Sequence, residues 1–203
     1  MNSDWYTIQN IEEVDSPSVV LYKGRLQFNI DTMIAMVGGN LDKLMPHVKT
    51  NKMSKVIESM IIKGIKRFKA STIAEAEIAA REGAGSVLIA HQLVGPKIQR
   101  FGELVTTFPK TKFSTIVDNL TSFRNLEKEA KERHVYFDVY IDINTGMNRS
   151  GIESGKELEE LIKQSKKYIG LLFKPKWRIL SKAHNIGMSL YIFFKEEIYW
   201  LLQ

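Results

Sequence analysis

The chain of 203 residues contains no cysteine, which excludes disulfides, thiolate metal ligands and a cysteine nucleophile together and allows a reducing compartment. No uninterrupted apolar run reaches the roughly 20 residues that cross a bilayer. The most apolar late stretch, Ile186 to Gln203, carries Lys195-Glu196-Glu197 at its middle. The opening Met1-Asn2-Ser3-Asp4-Trp5-Tyr6 lacks a basic segment followed by an apolar one, so it is not a secretory signal. Also missing is the G-x-G-x-x-G turn that marks many open dinucleotide-binding sheets; Gly83-Ala84-Gly85 reads as a flexible helix stop instead. These absences leave the expectation of a soluble, cytoplasmic protein without a membrane partner.

Hydrophobic residues make up 44% of the chain, enough for one substantial core. The 29 Lys and Arg against 23 Asp and Glu leave a charge of +6, which suits a phosphorylated ligand or a polyanion. Acids and bases alternate along most of the sequence rather than gathering in a basic stripe with interleaved aromatics, so a solvated basic surface is expected and a nucleic-acid partner is not.

After Ser16-Pro17, the β-branched run Ser18 to Tyr22 predicts a strand, and Lys23 to Val37 carries apolar residues at helical spacing up to Gly38-Gly39-Asn40. Short apolar runs then alternate with helix-forming stretches. Strands are expected at Leu44 to Val48, Arg67 to Ala70, Ser86 to Ala90, Phe113 to Val117 and Phe137 to Ile143, with a sixth at Tyr168 to Phe173. Helices are expected over Lys52 to Lys63, Ile73 to Glu82, Pro96 to Thr107, Leu120 to Arg133 and Ser154 to Lys167. This is the pattern of parallel βα units; an open doubly wound sheet and a closed (β/α)₈ barrel both produce it, and the missing glycine-rich turn tilts the reading toward the barrel.

In either architecture chemistry gathers where strands end, because the loops there converge on one mouth. Those ends carry His47, Lys49 and Thr50; Ser71 and Thr72; His91 and Gln92; Asp118 and Asn119; and Asp142, Asn144 and Arg149. A lysine at such a mouth, desolvated and beside cations such as Lys52 or Arg149, can attack carbonyls; as surface residues Lys49 and Lys52 would simply pair with carboxylates. His47 and His91 fit proton transfer as well as structural hydrogen bonding. Asp118 either caps the helix near Leu120 or faces the mouth.

The segment Pro46-His47-Val48-Lys49-Thr50-Asn51-Lys52 resembles the P-H-x-K-T-x-K heptad of the D-threonine aldolase and D-serine dehydratase family, relatives of the alanine racemase N-terminal barrel. Thr72-Ile73-Ala74-Glu75-Ala76-Glu77, Val94-Gly95-Pro96-Lys97 and Thr145-Gly146-Met147-Asn148-Arg149-Ser150-Gly151 resemble further family segments in the family's order. The resemblance implies a pyridoxal 5′-phosphate barrel with Lys49 as its Schiff-base lysine. It implies that Arg149 approaches the cofactor's phenolic oxygen, where a guanidinium stabilises negative charge and tunes the electron sink. Gln92 joins Lys49 and Arg149 as an expected cofactor-binding residue, and Lys49, His47 and His91 are the expected catalytic set. The family's usual arginine before the proline is Met45 here, and a frequent second histidine is Asn51. Both changes bear on cofactor and substrate contacts.

The activity implied is that of a lyase acting on D-β-hydroxy amino acids, by Cα–Cβ cleavage or loss of the β-hydroxyl. The alternatives are an amino-acid racemase and a non-catalytic remnant that at most binds the cofactor. A closed barrel has eight strands, whereas five to six are expected here, so the fold class is α/β with an incomplete barrel over 1–170. The resemblance also implies a divalent metal in full-length relatives, whose ligands are not expected in this chain, and a homodimer. Beyond Gly170, Leu171 to Arg178 departs from the family pattern. The tail 171–203, with five Lys/Arg, two Glu and seven aromatics, is expected to be an atypical segment of the kind a change of reading frame produces.

Overall fold

The computed structural model describes residues 6–167 together with 180–182 and 191–193. Two helices, α1 (Lys23–Met36) and α2 (Ser54–Ile62), lead into a four-stranded sheet. Its strands are β1 (Arg67–Ala70), β2 (Ser86–Ile89), β3 (Lys112–Val117) and β4 (Asp138–Ile141), adjacent in chain order and parallel throughout. Parallel neighbours need a crossover, and α3 (Ile73–Arg81), α4 (Pro96–Thr107) and α5 (Leu120–Arg133) supply the three connections, with α6 (Lys156–Lys167) after β4. Strands β5 (Leu180–Lys182) and β6 (Tyr191–Phe193) form a separate antiparallel pair.

Alternation along each strand gives the sheet two faces. Phe68, Ala70, Val87, Ile89, Phe113, Val117, Val139 and Ile141 belong to the large core that also takes in Ile57, Phe101, Phe123, Leu126 and Leu161 from the helices. Phe101 of α4 meets Phe137 edge-on, with ring centroids 4.8 Å apart. Leu88, Ile116 and Tyr140 form a second, smaller core with Met45 and Ala90 on the opposite face. Register places Lys69 in one row with Leu88, Ser114 and Asp138, so this face is a mixed polar and apolar surface of the kind a barrel encloses. At the amino ends of the strands, Lys112 pairs with Asp138 at 3.0 Å, a contact that serves stability.

Local chemistry sets the helix starts. Thr72 Oγ1 accepts the Glu75 N–H at 3.1 Å at the head of α3, and Asn119 Oδ1 accepts the Ser122 N–H at 2.8 Å at the head of α5. Asn119, not Asp118, is therefore the cap.

Two expected strands do not form. Ser18 to Tyr22 is mostly exposed; its β-branched residues favour extended backbone, but among the described residues no neighbouring strand receives them. Leu44 to Val48 is reduced to a single parallel bridge between His47 and Lys69. Pro46 has no N–H to give and contributes only its carbonyl, which accepts the Lys69 N–H at 2.9 Å, after which the chain turns away. The sixth strand expected at Tyr168 to Phe173 lies outside the described residues. The remaining strands and helices fall within a few residues of their expected places, and the sheet is an incomplete α/β barrel.

Candidate functional site

At the β1 edge of the sheet, the chain passes from the His47 bridge into a 3-10 turn, Val48–Thr50. Val48 is fully buried and anchors the turn, while Lys49 beside it is exposed. The turn closes through the Lys52 N–H, which donates to the Val48 carbonyl at 2.8 Å with Lys52 at a positive φ of 51°. A strand was the expected carrier of Lys49; a turn stapled to the strand edge takes its place.

His47 is half-buried. Its Nδ1 lies 3.0 Å from the Lys69 carbonyl oxygen and 3.3 Å from the Lys49 amide nitrogen, and its Nε2 lies 3.1 Å from Ser71 Oγ. Burial first, and the positive charge of Lys69 second, hold the imidazole below its ordinary 6.5, which favours the neutral ring. Ser71, just after β1, gives its N–H to Glu75 Oε2 at 2.7 Å. The other oxygen of this carboxylate, which is only 4% exposed, faces Lys52 Nζ at 3.7 Å. Lys52 is thus a carboxylate partner, as the structural reading of that lysine held.

Across the mouth, Gln92 donates from Nε2 to Asp118 Oδ2 at 2.7 Å and to the buried Asp142 Oδ2 at 3.5 Å, so it ties together the ends of β2, β3 and β4. His91 is exposed, with Nδ1 3.1 Å from the Gln92 carbonyl oxygen. Among the described residues it makes no hydrogen bond to His47, Lys49 or Arg149.

After β4 the chain loops out and returns. Ile143 and Ile152 form a parallel bridge, through the Asn144 N–H to the Ile152 carbonyl and the Ile152 N–H to the Asp142 carbonyl, both at 2.9 Å. Inside the loop Asn144 Oδ1 accepts the N–H groups of Gly146 and Asn148, each at 3.1 Å, and Asn144 Nδ2 donates to Asn148 Oδ1 at 2.9 Å. Gly151 closes it at φ +99°, where a Cβ would stand 2.6 Å from the Asn144 nitrogen. The cavity inside this loop, lined by Asp142, Asn144, Thr145, Met147 and Arg149 among others, holds about 10 Å³, room for a water and no more. Arg149 is exposed and, like Lys49, forms no ion pair among the described residues.

The groups expected at the strand ends do stand at one end of the sheet, but the contacts made by Glu75 and Asn144 were not anticipated. The signal for Glu75 was the spacing Thr72-x-x-Glu75, a capping pattern whose acid here serves Ser71 instead of the cap's own N–H. Asn144 had no signal beyond its place at a strand end. Among the described residues no group of three His, Cys, Asp or Glu side chains is arranged to hold a metal, and no helix is long and apolar enough to cross a membrane.

A parallel sheet of βα units with its polar residues collected at the strand ends defines a barrel-type α/β protein. Within that class, the family model for the alanine racemase N-terminal domain matches residues 22–187, and the chain belongs to that family. It is similar to a D-threonine aldolase from Arthrobacter sp., 24% identical over 164 residues, which cover 80% of this chain and 42% of that protein. It is also similar to a D-threo-3-hydroxyaspartate dehydratase from Delftia sp. (strain HT23), 28% identical over 139 residues, covering 68% of this chain and 36% of that one. The crystal structure of a D-threonine aldolase from Filomicrobium marinum shares the fold at a TM-score of 0.68 and 23% identity, over 82% of this chain and 43% of that one. The chain spans less than half the length of the curated relatives it matches.

Proposed function

We propose that this chain carries the cofactor-attaching part of a pyridoxal-phosphate lyase for D-β-hydroxy amino acids, with Lys49 as the attachment point. The observation that carries the reading is the division of labour among the mouth's cations. Lys52 faces Glu75 and Lys69 is buried, whereas Lys49 and Arg149 stand exposed without an ion pair among the described residues. An uncommitted amine and an uncommitted guanidinium fit the two roles that an aldehyde cofactor with a phenolic oxygen requires.

When bound, pyridoxal phosphate supplies an electron sink for charge developing at the substrate's α-carbon. The chain's own residues do the rest. Lys49 holds the cofactor through its amine, and Arg149 balances negative charge at the phenolic oxygen. Gln92 keeps Asp118 and Asp142 in place at the mouth, and His91, exposed just after β2, is the group to which we assign proton transfer. The similarity to the Arthrobacter aldolase and the Delftia dehydratase supports the D-β-hydroxy substrate class, and a homodimer is the assembly we carry forward.

A second reading, a polypeptide that binds cofactor without turning substrate over, is an outcome of the same experiment. Adding pyridoxal phosphate and following its visible absorbance tests the shared core of both: the band shifts in the native chain and does not in Lys49→Ala. Assays with D-threonine, D-serine and D-threo-3-hydroxyaspartate on the loaded sample then separate them. Turnover supports the lyase, and a shifted band without turnover supports the binding-only chain. No shift contradicts both.

A further inference from the structure

The heptad around Lys49 is gripped at both ends by one buried carboxylate that lies 26 residues away in the sequence. Before Lys49, the Glu75 carboxylate accepts the Ser71 N–H at 2.7 Å, and Ser71 Oγ meets His47 Nε2 at 3.1 Å. After Lys49, the other oxygen of the same carboxylate faces Lys52 Nζ at 3.7 Å. Glu75 itself is fixed from its own side, because its N–H is accepted by Thr72 Oγ1 at the start of α3.

We propose that Glu75 is the positioning residue of the Lys49 turn: through Ser71 it locks His47 as the Nδ1–H tautomer with Nε2 occupied, so that His47 holds the turn in place and does not carry protons.

The tautomer follows from the partners. A carbonyl oxygen can only accept, so the 3.0 Å contact between His47 Nδ1 and the Lys69 carbonyl requires the hydrogen on Nδ1. The Lys49 N–H points at the same nitrogen from 3.3 Å, the longer of the two contacts, and the 3.0 Å carbonyl contact decides where the ring hydrogen sits. With Nδ1 protonated, Nε2 is an acceptor, and the Ser71 hydroxyl donates to it. Ser71 can do so only while its backbone is held, and the Glu75 carboxylate holds it. Both ring nitrogens are thereby spent. A histidine whose second nitrogen is fixed by a hydrogen bond has its orientation and tautomer set by that bond. The inference rests on the reading of Lys49 as the cofactor lysine for its meaning, not for its test, which uses the chain without cofactor.

Long-range ¹H–¹⁵N spectra of the full chain, uniformly ¹⁵N-labelled, read the protonation of each imidazole nitrogen. The native chain is expected to show His47 protonated on Nδ1 and bare on Nε2 near neutral pH. Ser71→Ala is expected to shift the Nε2 resonance and leave Nδ1 protonated. Glu75→Ala is expected to mix the two tautomers and to move the Lys49 amide. Glu75→Gln, whose amide oxygen can still accept the Ser71 N–H, is expected to restore the native His47 signals. A native His47 protonated on Nε2 overturns the proposal, and so does a folded Glu75→Ala with unchanged His47 signals. Should Glu75→Ala not fold, unmoved His47 signals in Ser71→Ala overturn it equally. A failed cofactor test leaves these outcomes untouched, so the two readings fall separately.

Discussion

The two cationic stations of the mouth are built in opposite ways. Lys49 sits on a turn held by residues from three places in the chain: the Lys69 carbonyl on β1, Ser71 after it and Glu75 in α3. Arg149 sits on a loop held by itself, with Asn144 collecting the N–H groups of Gly146 and Asn148 and the Ile143 and Ile152 bridge closing the ring. One station is tertiary and the other is local. A disturbance of the first should travel across the strand edge, whereas a disturbance of the second should stay within its own ten residues.

Glu75→Ala breaks the tertiary station most severely. It leaves the Ser71 N–H without its acceptor, and the loss of a buried acceptor from a linked network should cost about 3 kcal/mol in urea unfolding. Amide shifts should spread from 71 back to 47–52. Gly151→Ala breaks the local station: the added Cβ meets the Asn144 nitrogen at 2.6 Å and the residue is pushed to defend φ +99°, for a loss of about 2 kcal/mol. Its shift changes should be confined to 142–152. Asn144→Ala removes two accepted N–H groups that water can serve, so about 1 kcal/mol is expected, again with local shifts only. Spread of the Asn144 or Gly151 perturbation to residues 47–52 would erase the distinction between the stations.

The smallest effect concerns pH. The His47 imidazole is depressed below its ordinary 6.5, so the unfolded chain takes up its proton first as pH falls. The stability tied to the neutral ring is complete above the unfolded value and is lost as pH drops through the folded one. Urea midpoints measured from about pH 7.5 down to about pH 5 should decline, and His47→Gln should flatten that decline. A decline that is just as steep in His47→Gln would contradict the assignment.

Much of this was legible in the sequence because its signals are local. The strands β1 to β4 read directly from short apolar runs, and α3 to α5 from their spacing and caps. What failed was non-local. Ser18 to Tyr22 has strand-like residues but no strand to pair with among the described residues, and Leu44 to Val48 looked continuous although Pro46 limits it to one bridge. In the site, the residues at the strand ends were visible from position alone. Their partners were not: nothing in the order of residues says that Gln92 reaches Asp118 and Asp142, or that the acid of a capping pattern turns to Ser71 and Lys52. Those contacts depend on which loops the parallel sheet brings side by side.

The central claim is that Lys49, among all the lysines of a strongly basic chain, is the one that attaches pyridoxal phosphate. Incubation with the cofactor, reduction with borohydride and peptide mapping by mass spectrometry test it in one step. The account predicts a single stoichiometric pyridoxyl adduct on the peptide that contains Lys49, lost in Lys49→Ala and not transferred to Lys52. An adduct spread over many lysines, or one that persists at full yield in Lys49→Ala, would contradict it.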